Sequence, residues 1–340
     1  MTVKITLHPS GHEFQAEPTE TLLDCALRSG ISLDYNCNNG SCGKCAARVI
    51  SGRIGEVLPH DYVFKEHEKD TCRILLCRTK ALSDMVIEAN EAHGVNEIPL
   101  QRIETTVHKI ESPDPDIHIV QLKTPRSNTL RFLAGQHVAL QIDTLPVRNK
   151  SIASCPCNGM YLQFHIQKSP GDEFSEYVFS QLKPKEKVMV EGPYGDFTLD
   201  DDSMRPIIFI AFETGMAPIK SLIEHAIALE HEQPIYLYWL VDQDNPHYID
   251  NYCRSWVDAL DNFSYDAMKI NYTNGDIVDI DRLEQELTRT AGLILDKHDD
   301  IDQYDLYVNG PAWLFSGMKS VFMQGGIPEA QIRIDSMKRY

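Results

Sequence analysis

The 340-residue sequence has no apolar run near the ~20 residues a membrane-spanning helix needs, and "PIIFIAF" is among its longest. Its N-terminus, "MTVKITLHPS", lacks the basic and apolar regions of a signal peptide and alternates like a strand. Basic residues are scarce: 32 Lys and Arg stand against 50 Asp and Glu, a formal net charge of −18 that argues against nucleic-acid binding. The 13 histidines show no H-E-x2-H spacing, and no paired carboxylates or nucleophile elbow suggest hydrolysis. There is no internal repeat and no low-complexity tract. The expectation is a cytoplasmic protein of about two or three domains, with thiols kept reduced. The nine cysteines are then ligands and small buried hydrophobes rather than disulfides. The acidity suits docking on a basic protein face.

What is there begins with "YNCNNGSCGKCAARV", residues 35–49, which sets Cys37, Cys42 and Cys45 in a loop of asparagine, glycine and serine. Upstream, "VKITL" and "HEFQA" flank the turn "HPSG" as a hairpin. "PTETLLDCALRSG" reads as a helix capped by Thr19 and ended by Gly30, with Cys25 packed in its core face. The spacing C-x4-C-x2-C is that of a plant-type [2Fe–2S] loop, which needs one more distant cysteine. Cys77 in "ILLCRT" supplies it after an apolar, strand-like run; Cys72 is the competing candidate. Small residues between the thiolates let backbone N–H groups turn inward toward sulfur. A structural zinc site is the other reading, but such sites usually pair two C-x2-C units and only one is here. Residues 1–90 resemble a plant-type ferredoxin domain of β-grasp fold.

"EANEAHGVNEIPLQ" is polar and strand-poor and reads as a linker. Over 101–202 short β-like runs dominate ("ETTVHKIESP", "IHIVQLKT", "HVALQID", "MYLQFHIQK", "KVMVEGPYG"), which predicts an antiparallel β-barrel. "CPC" at 155–157 has one intervening residue, not the two of a redox C-x2-C motif, and reads as barrel packing. Over 203–340 strands alternate with helices, which predicts an α/β doubly wound sheet. This multidomain order resembles the ferredoxin–NAD(P)+ reductase superfamily with a fused N-terminal ferredoxin. Within it, the sequence is similar to reductase components of multicomponent oxygenases and to CDP-6-deoxyglucoseen reductases of deoxysugar synthesis.

The resemblance implies FAD and nicotinamide sites. "RNKS" matches the family's flavin motif: Arg148 falls on the pyrophosphate arginine and Ser151 on the hydroxyl near flavin N5, while Lys150 replaces an aromatic residue. In "SPGDEFSEYVF", Gly171 and Ser175 match phosphate donors, and Asp172 stands where a second glycine is expected. "ETGMAP" matches the nicotinamide loop at Thr214 and Gly215, with Glu213 in a glycine position. A carboxylate about 6 Å from a phosphate costs roughly 2–3 kcal/mol at an effective dielectric near 20. "NGP" at Asn309, Gly310 and Pro311 matches the segment beside the nicotinamide ring, with Asn309 in place of a cysteine. Met337 replaces an aromatic near the flavin, and Tyr340 is available to substitute. Asp242 and Asp244 disfavour a 2′-phosphate and imply NADH rather than NADPH.

Two functions follow from the resemblance. In one, electrons pass from NADH through FAD to the [2Fe–2S] cluster and on to a separate oxygenase, desaturase or dehydrase. In the other, the ferredoxin domain is an electron carrier or interaction subunit and the reductase module, with altered flavin and NAD sites, is a scaffold.

Overall fold

Burial alternates along Val3–His8: Ile5 and Leu7 point into the core between more exposed neighbours, as a half-buried strand requires. A computed structural model describes residues 2–65, 72–92, 94–274, 277–310 and 315–336. Pro311, Met337 and Tyr340 lie outside the described residues. Val3–His8 pairs antiparallel with Glu13–Ala16, as the predicted hairpin, and parallel with Met85–Glu88. Ala46–Ser51 and Arg73–Leu75 complete a five-stranded mixed sheet. The helix Leu22–Arg28 lays Leu22, Leu23, Cys25 and Ala26 on that sheet. Its cap is Thr21, whose hydroxyl accepts from the Asp24 N–H at 3.2 Å, and not the expected Thr19. The apolar face begins at Leu22, so the residue directly before it takes the capping role.

The linker segment is strand-poor, as expected, and is tied back to the first domain. Glu91 pairs with His12 at 2.7 Å, and the Ala92 N–H donates to the Ser32 carbonyl. Beyond it, six antiparallel strands run in the order Arg148–Ser151, His137–Gln141, Lys187–Tyr194, Gln101–Asp114, Ile117–Lys123, Tyr161–Gln167. The two outer strands approach closure: just past the first, the Ala153 N–H donates to the Gln163 carbonyl at 2.7 Å. Phe132, Phe164, Phe174 and Val138 fill this barrel-like sheet.

The third sheet is fully parallel, in the order Phe263–Ile270, Ile235–Asp242, Ile207–Phe212, Asp305–Gly310, Ile332–Ser336. All six residues of Ile207–Phe212 are buried, as a central strand covered by helices on both faces requires. Chain order reverses between Ile207–Phe212 and Asp305–Gly310, so a crevice opens at their carboxyl ends. The helix Met216–Ala228 begins at that point. No described helix is long and apolar enough to cross a membrane.

The domains touch at polar joints. The Asn38 N–H donates to the Arg126 carbonyl and the Thr129 N–H to the Asn36 carbonyl, both at 3.0 Å. The buried Arg131 guanidinium meets Asp34 at 2.6 Å. Between barrel and parallel sheet, His165 meets the Tyr248 hydroxyl at 2.8 Å, and Lys220 donates to the Ala153 carbonyl at 3.2 Å. Cys155 lies at this second joint, its N–H donating to Glu224 at 3.0 Å.

Candidate cluster, flavin and nucleotide sites

Strand register brings the downstream cysteine to the loop. Ala46 pairs with Leu75, and the Leu76 N–H donates to the Cys45 carbonyl at 3.1 Å. Cys77, in the short 3-10 turn Leu76–Arg78, is thereby held with its Sγ 3.3 Å from that of Cys45. The other two thiols form a second pair, with the Cys42 N–H donating to the Cys37 Sγ at 3.4 Å. The Lys44 N–H donates to the Cys42 Sγ at 3.5 Å. Cys37, Cys45 and Cys77 are buried, and Cys42 is half-buried. Cys72 sits at the far end of the strand pairing, exposed, with its carbonyl bonded to the Val49 N–H.

Two glycines are required here. Gly40 has φ +76°, and a Cβ would lie 2.5 Å from the Cβ of His60. Gly43 has φ +73°, and a Cβ would strike the Tyr62 ring at 2.2 Å. Burial pushes the Cys37 thiol up, but hydrogen bonds from Cys42, Ser41 and the Asn39 and Cys42 N–H groups outweigh it and bring it down to about 6. The hydrogen bond with Cys77, against burial, lowers Cys45, whereas the same bond and burial raise Cys77. Among the described residues no three His, Cys, Asp or Glu side chains converge on a single-ion site. Thiols paired two and two, with N–H groups aimed at sulfur, fit two irons with two thiolates each and do not fit one tetrahedral zinc.

At the second site Arg148 and Lys150 share one face of a strand beside the helix Glu173–Ser180. Arg148 is already engaged: Nε and Nη2 lie 2.8 and 2.6 Å from Asp172 Oδ1. The other Asp172 oxygen accepts from the Ser175 N–H at 3.2 Å and caps the helix. Ser175 is buried, its hydroxyl accepting from the Ser169 N–H and donating to the Gln167 carbonyl. Gly171 has φ +80° and open space around it, with its N–H donating to Glu176 at 3.0 Å. Ser151 is buried at the strand end. Burial pushes the Lys150 ammonium down, Asp172 opposes that shift, and Arg148 adds to it. A positively charged strand face beside a helix N-terminus and an uncrowded glycine fits a diphosphate, once Asp172 yields.

At the third site Glu213 takes φ +50°, a backbone conformation suited to the glycine expected there. Its carboxylate turns along the sheet edge and is buried. Oε1 accepts from the Asp242 N–H (2.8 Å), Asn245 Nδ2 (3.0 Å) and the Tyr272 hydroxyl (2.6 Å). Asp242 is also buried, its carboxylate accepting from the Asp244 and Tyr272 N–H groups. Of the two aspartates expected to meet a ribose, only Asp244 is exposed. Thr214 is half-buried and Gly215 precedes the helix, where a Cβ would lie 2.4 Å from the Asn309 carbonyl oxygen. Gly310 is similarly confined, 2.6 Å from the Phe315 ring by the same measure. Asn309 Nδ2 donates to Asp335 at 2.9 Å, while its buried Oδ1 has no hydrogen-bond partner among the described residues.

Sequence reasoning missed Tyr272 and Asn245, which hold Glu213, and the Asn36 and Asn38 contacts to the barrel. The asparagines flanking Cys37 were a usable signal, but nothing local pointed to Tyr272, 59 residues from its partner.

Two family models match the chain: the 2Fe-2S iron-sulfur cluster binding domain over residues 5–82 and the oxidoreductase FAD-binding domain over 104–199. The chain is 28% identical over 340 residues to the CDP-6-deoxy-L-threo-D-glycero-4-hexulose-3-dehydrase reductase of Yersinia pseudotuberculosis, covering 99% of this chain and 98% of the relative. It is 32% identical over 240 residues to the propane 2-monooxygenase reductase component of Mycolicibacterium smegmatis, covering 69% of each. The fold matches the Amycolatopsis cytochrome P450 reductase GcoB with a TM-score of 0.61, at 22% identity over 98% of both chains. The chain belongs to the ferredoxin–NAD(P)+ reductase superfamily, in the group that joins an N-terminal [2Fe–2S] ferredoxin domain to an FAD-binding domain and a parallel α/β domain.

Proposed function

We propose that this protein is a reductase that takes electrons from NADH, passes them through FAD to a [2Fe–2S] cluster, and delivers them to a separate oxygenase, desaturase or dehydrase. The observation that carries it is the joint at the cluster loop. Asn36 and Asn38, on either side of Cys37, are hydrogen-bonded to Thr129 and Arg126 of the barrel. The cluster thus stands against the flavin domain. In this reading Cys37, Cys42, Cys45 and Cys77 hold the cluster. Arg148, Lys150, Ser151, Gly171 and Ser175 surround the flavin and its phosphates, and Thr214, Gly215, Asn309, Gly310 and Pro311 surround the nicotinamide half of NADH. The flavin, when bound, supplies the exchange between two-electron and one-electron chemistry. The chain positions it, neutralises its phosphates and excludes water. In this reading the domains span 1–90, 101–202 and 203–340, and the three sheets support that division. A net charge of −18 supports a basic docking face on the partner, and nine free thiols support a reducing, cytoplasmic setting.

The Arg148–Asp172 pair favours a second reading, an electron carrier whose reductase module is a scaffold. The visible spectrum of aerobically purified protein separates the two. Flavin bands over cluster bands support the reductase; cluster bands alone support the carrier.

A further inference from the structure

The Arg148 guanidinium and the N–H groups of Ser169, Gly171, Asp172, Ser175 and Glu176, which would meet a flavin phosphate, are occupied by the chain itself. Arg148 places two nitrogens on one oxygen of Asp172, at 2.8 and 2.6 Å. The Ser175 N–H donates to the other Asp172 oxygen, the Gly171 N–H to Glu176 Oε1, and the Ser169 N–H to the Ser175 hydroxyl. The Asp172 and Glu176 N–H groups are bonded to the Ser169 and Asp172 carbonyls. Two carboxylates therefore sit where a diphosphate would find its guanidinium and its turn N–H groups.

We propose that Asp172, seconded by Glu176, is an internal counter-anion that occupies the phosphate cradle, so that FAD binds by displacing it and is held as an exchangeable cofactor. A guanidinium stays charged at any accessible pH, and at this partly buried position it needs an anion at all times. The carboxylate meets that need before FAD arrives. FAD then gains only the difference between its diphosphate and the carboxylate it replaces, and the displaced Asp172 remains as a like charge nearby. Asp172 is thus a specificity-setting residue acting on the phosphate end of the flavin. Lys150, on the same strand face, brings the cradle to neutrality against Asp172 and Glu176, so the displacement is uphill but not prohibited.

This inference rests on reading Arg148 to Ser175 as the FAD site, and the test separates the two. Full-length protein stripped of flavin is titrated with FAD and with riboflavin, which lacks the phosphates, by fluorescence. Asp172→Asn keeps a good helix cap while removing the charge. It should tighten FAD about tenfold, or about 1.4 kcal/mol, and leave riboflavin unchanged. Glu176→Gln should shift FAD in the same direction by less. Unchanged or weaker FAD binding in Asp172→Asn would overturn the proposal while leaving the FAD site standing. An equal gain for riboflavin would also overturn it, since the effect would then lie at the ring. No flavin binding by any form would remove the FAD reading and the proposal together.

Discussion

Glu213→Gly is the substitution on which sequence and structure give opposite forecasts. From the sequence, removing a carboxylate beside a phosphate should tighten NADH by up to about a hundredfold. In the structure the carboxylate points along the sheet edge and serves three donors: the Asp242 N–H, Asn245 and the Tyr272 hydroxyl. Losing them costs about 1 kcal/mol each, or about 3 kcal/mol together. Glycine at φ +50° returns about 1 kcal/mol of backbone strain. The Trp239 indole bond to the Glu213 carbonyl survives, because it uses only backbone. The net is about 2 kcal/mol of destabilisation, or a fall in Tm of about 4–8 °C. NADH affinity should change by less than about threefold, because the carboxylate that is removed is already engaged by those three donors. Calorimetric unfolding and NADH titration of wild type, Glu213→Gly and Glu213→Gln give both numbers. An unchanged Tm with NADH binding tightened tenfold or more would refute the argument.

Cys77→Ser should bleach or greatly destabilise the visible spectrum of the cluster and Cys72→Ser should not, since only Cys77 lies beside Cys45; the reverse pattern would move the fourth ligand. Stopped-flow reduction should be faster with NADH than with NADPH at equal concentration, because exposed Asp244 opposes a 2′-phosphate, and faster reduction by NADPH would contradict that. Burial, with a smaller push from Lys220, lowers the His165 imidazole to about 3. The unfolded chain therefore binds a proton below about pH 6.5 that the folded chain refuses, and stability falls as pH falls through that window. Between pH 7 and about pH 5.5 this amounts to about 1 kcal/mol, which His165→Gln should abolish in urea unfolding. Equal losses in wild type and variant would remove His165 as the cause.

The three sheets were legible because each leaves a different periodicity. The hairpin at residues 3–16 and the five named barrel runs alternate at period two, and the buried strand "PIIFIAF" is followed by a helical pattern. The cluster loop was legible because ligand spacing and glycine demand are local. Two things were not. The helix cap fell at Thr21 rather than Thr19, since several polar residues precede the apolar face and only the fold selects among them. Side-chain direction was the larger gap. Asp172 and Glu213 both replace glycines, and both look like charges set against phosphate. One caps a helix and pairs with Arg148, and the other is buried among donors from two neighbouring strand ends. Those partners lie 24 and 59 residues away, and no short-range pattern encodes them.

Electron paramagnetic resonance of the purified protein after anaerobic addition of NADH tests the central claim most directly, with iron and flavin quantified in the same sample. The account predicts about two irons per chain and a reduced-cluster signal that grows with NADH, is lost when FAD is stripped, and returns when FAD is restored. A cluster that dithionite reduces but NADH does not, with FAD bound or supplied in excess, would contradict it.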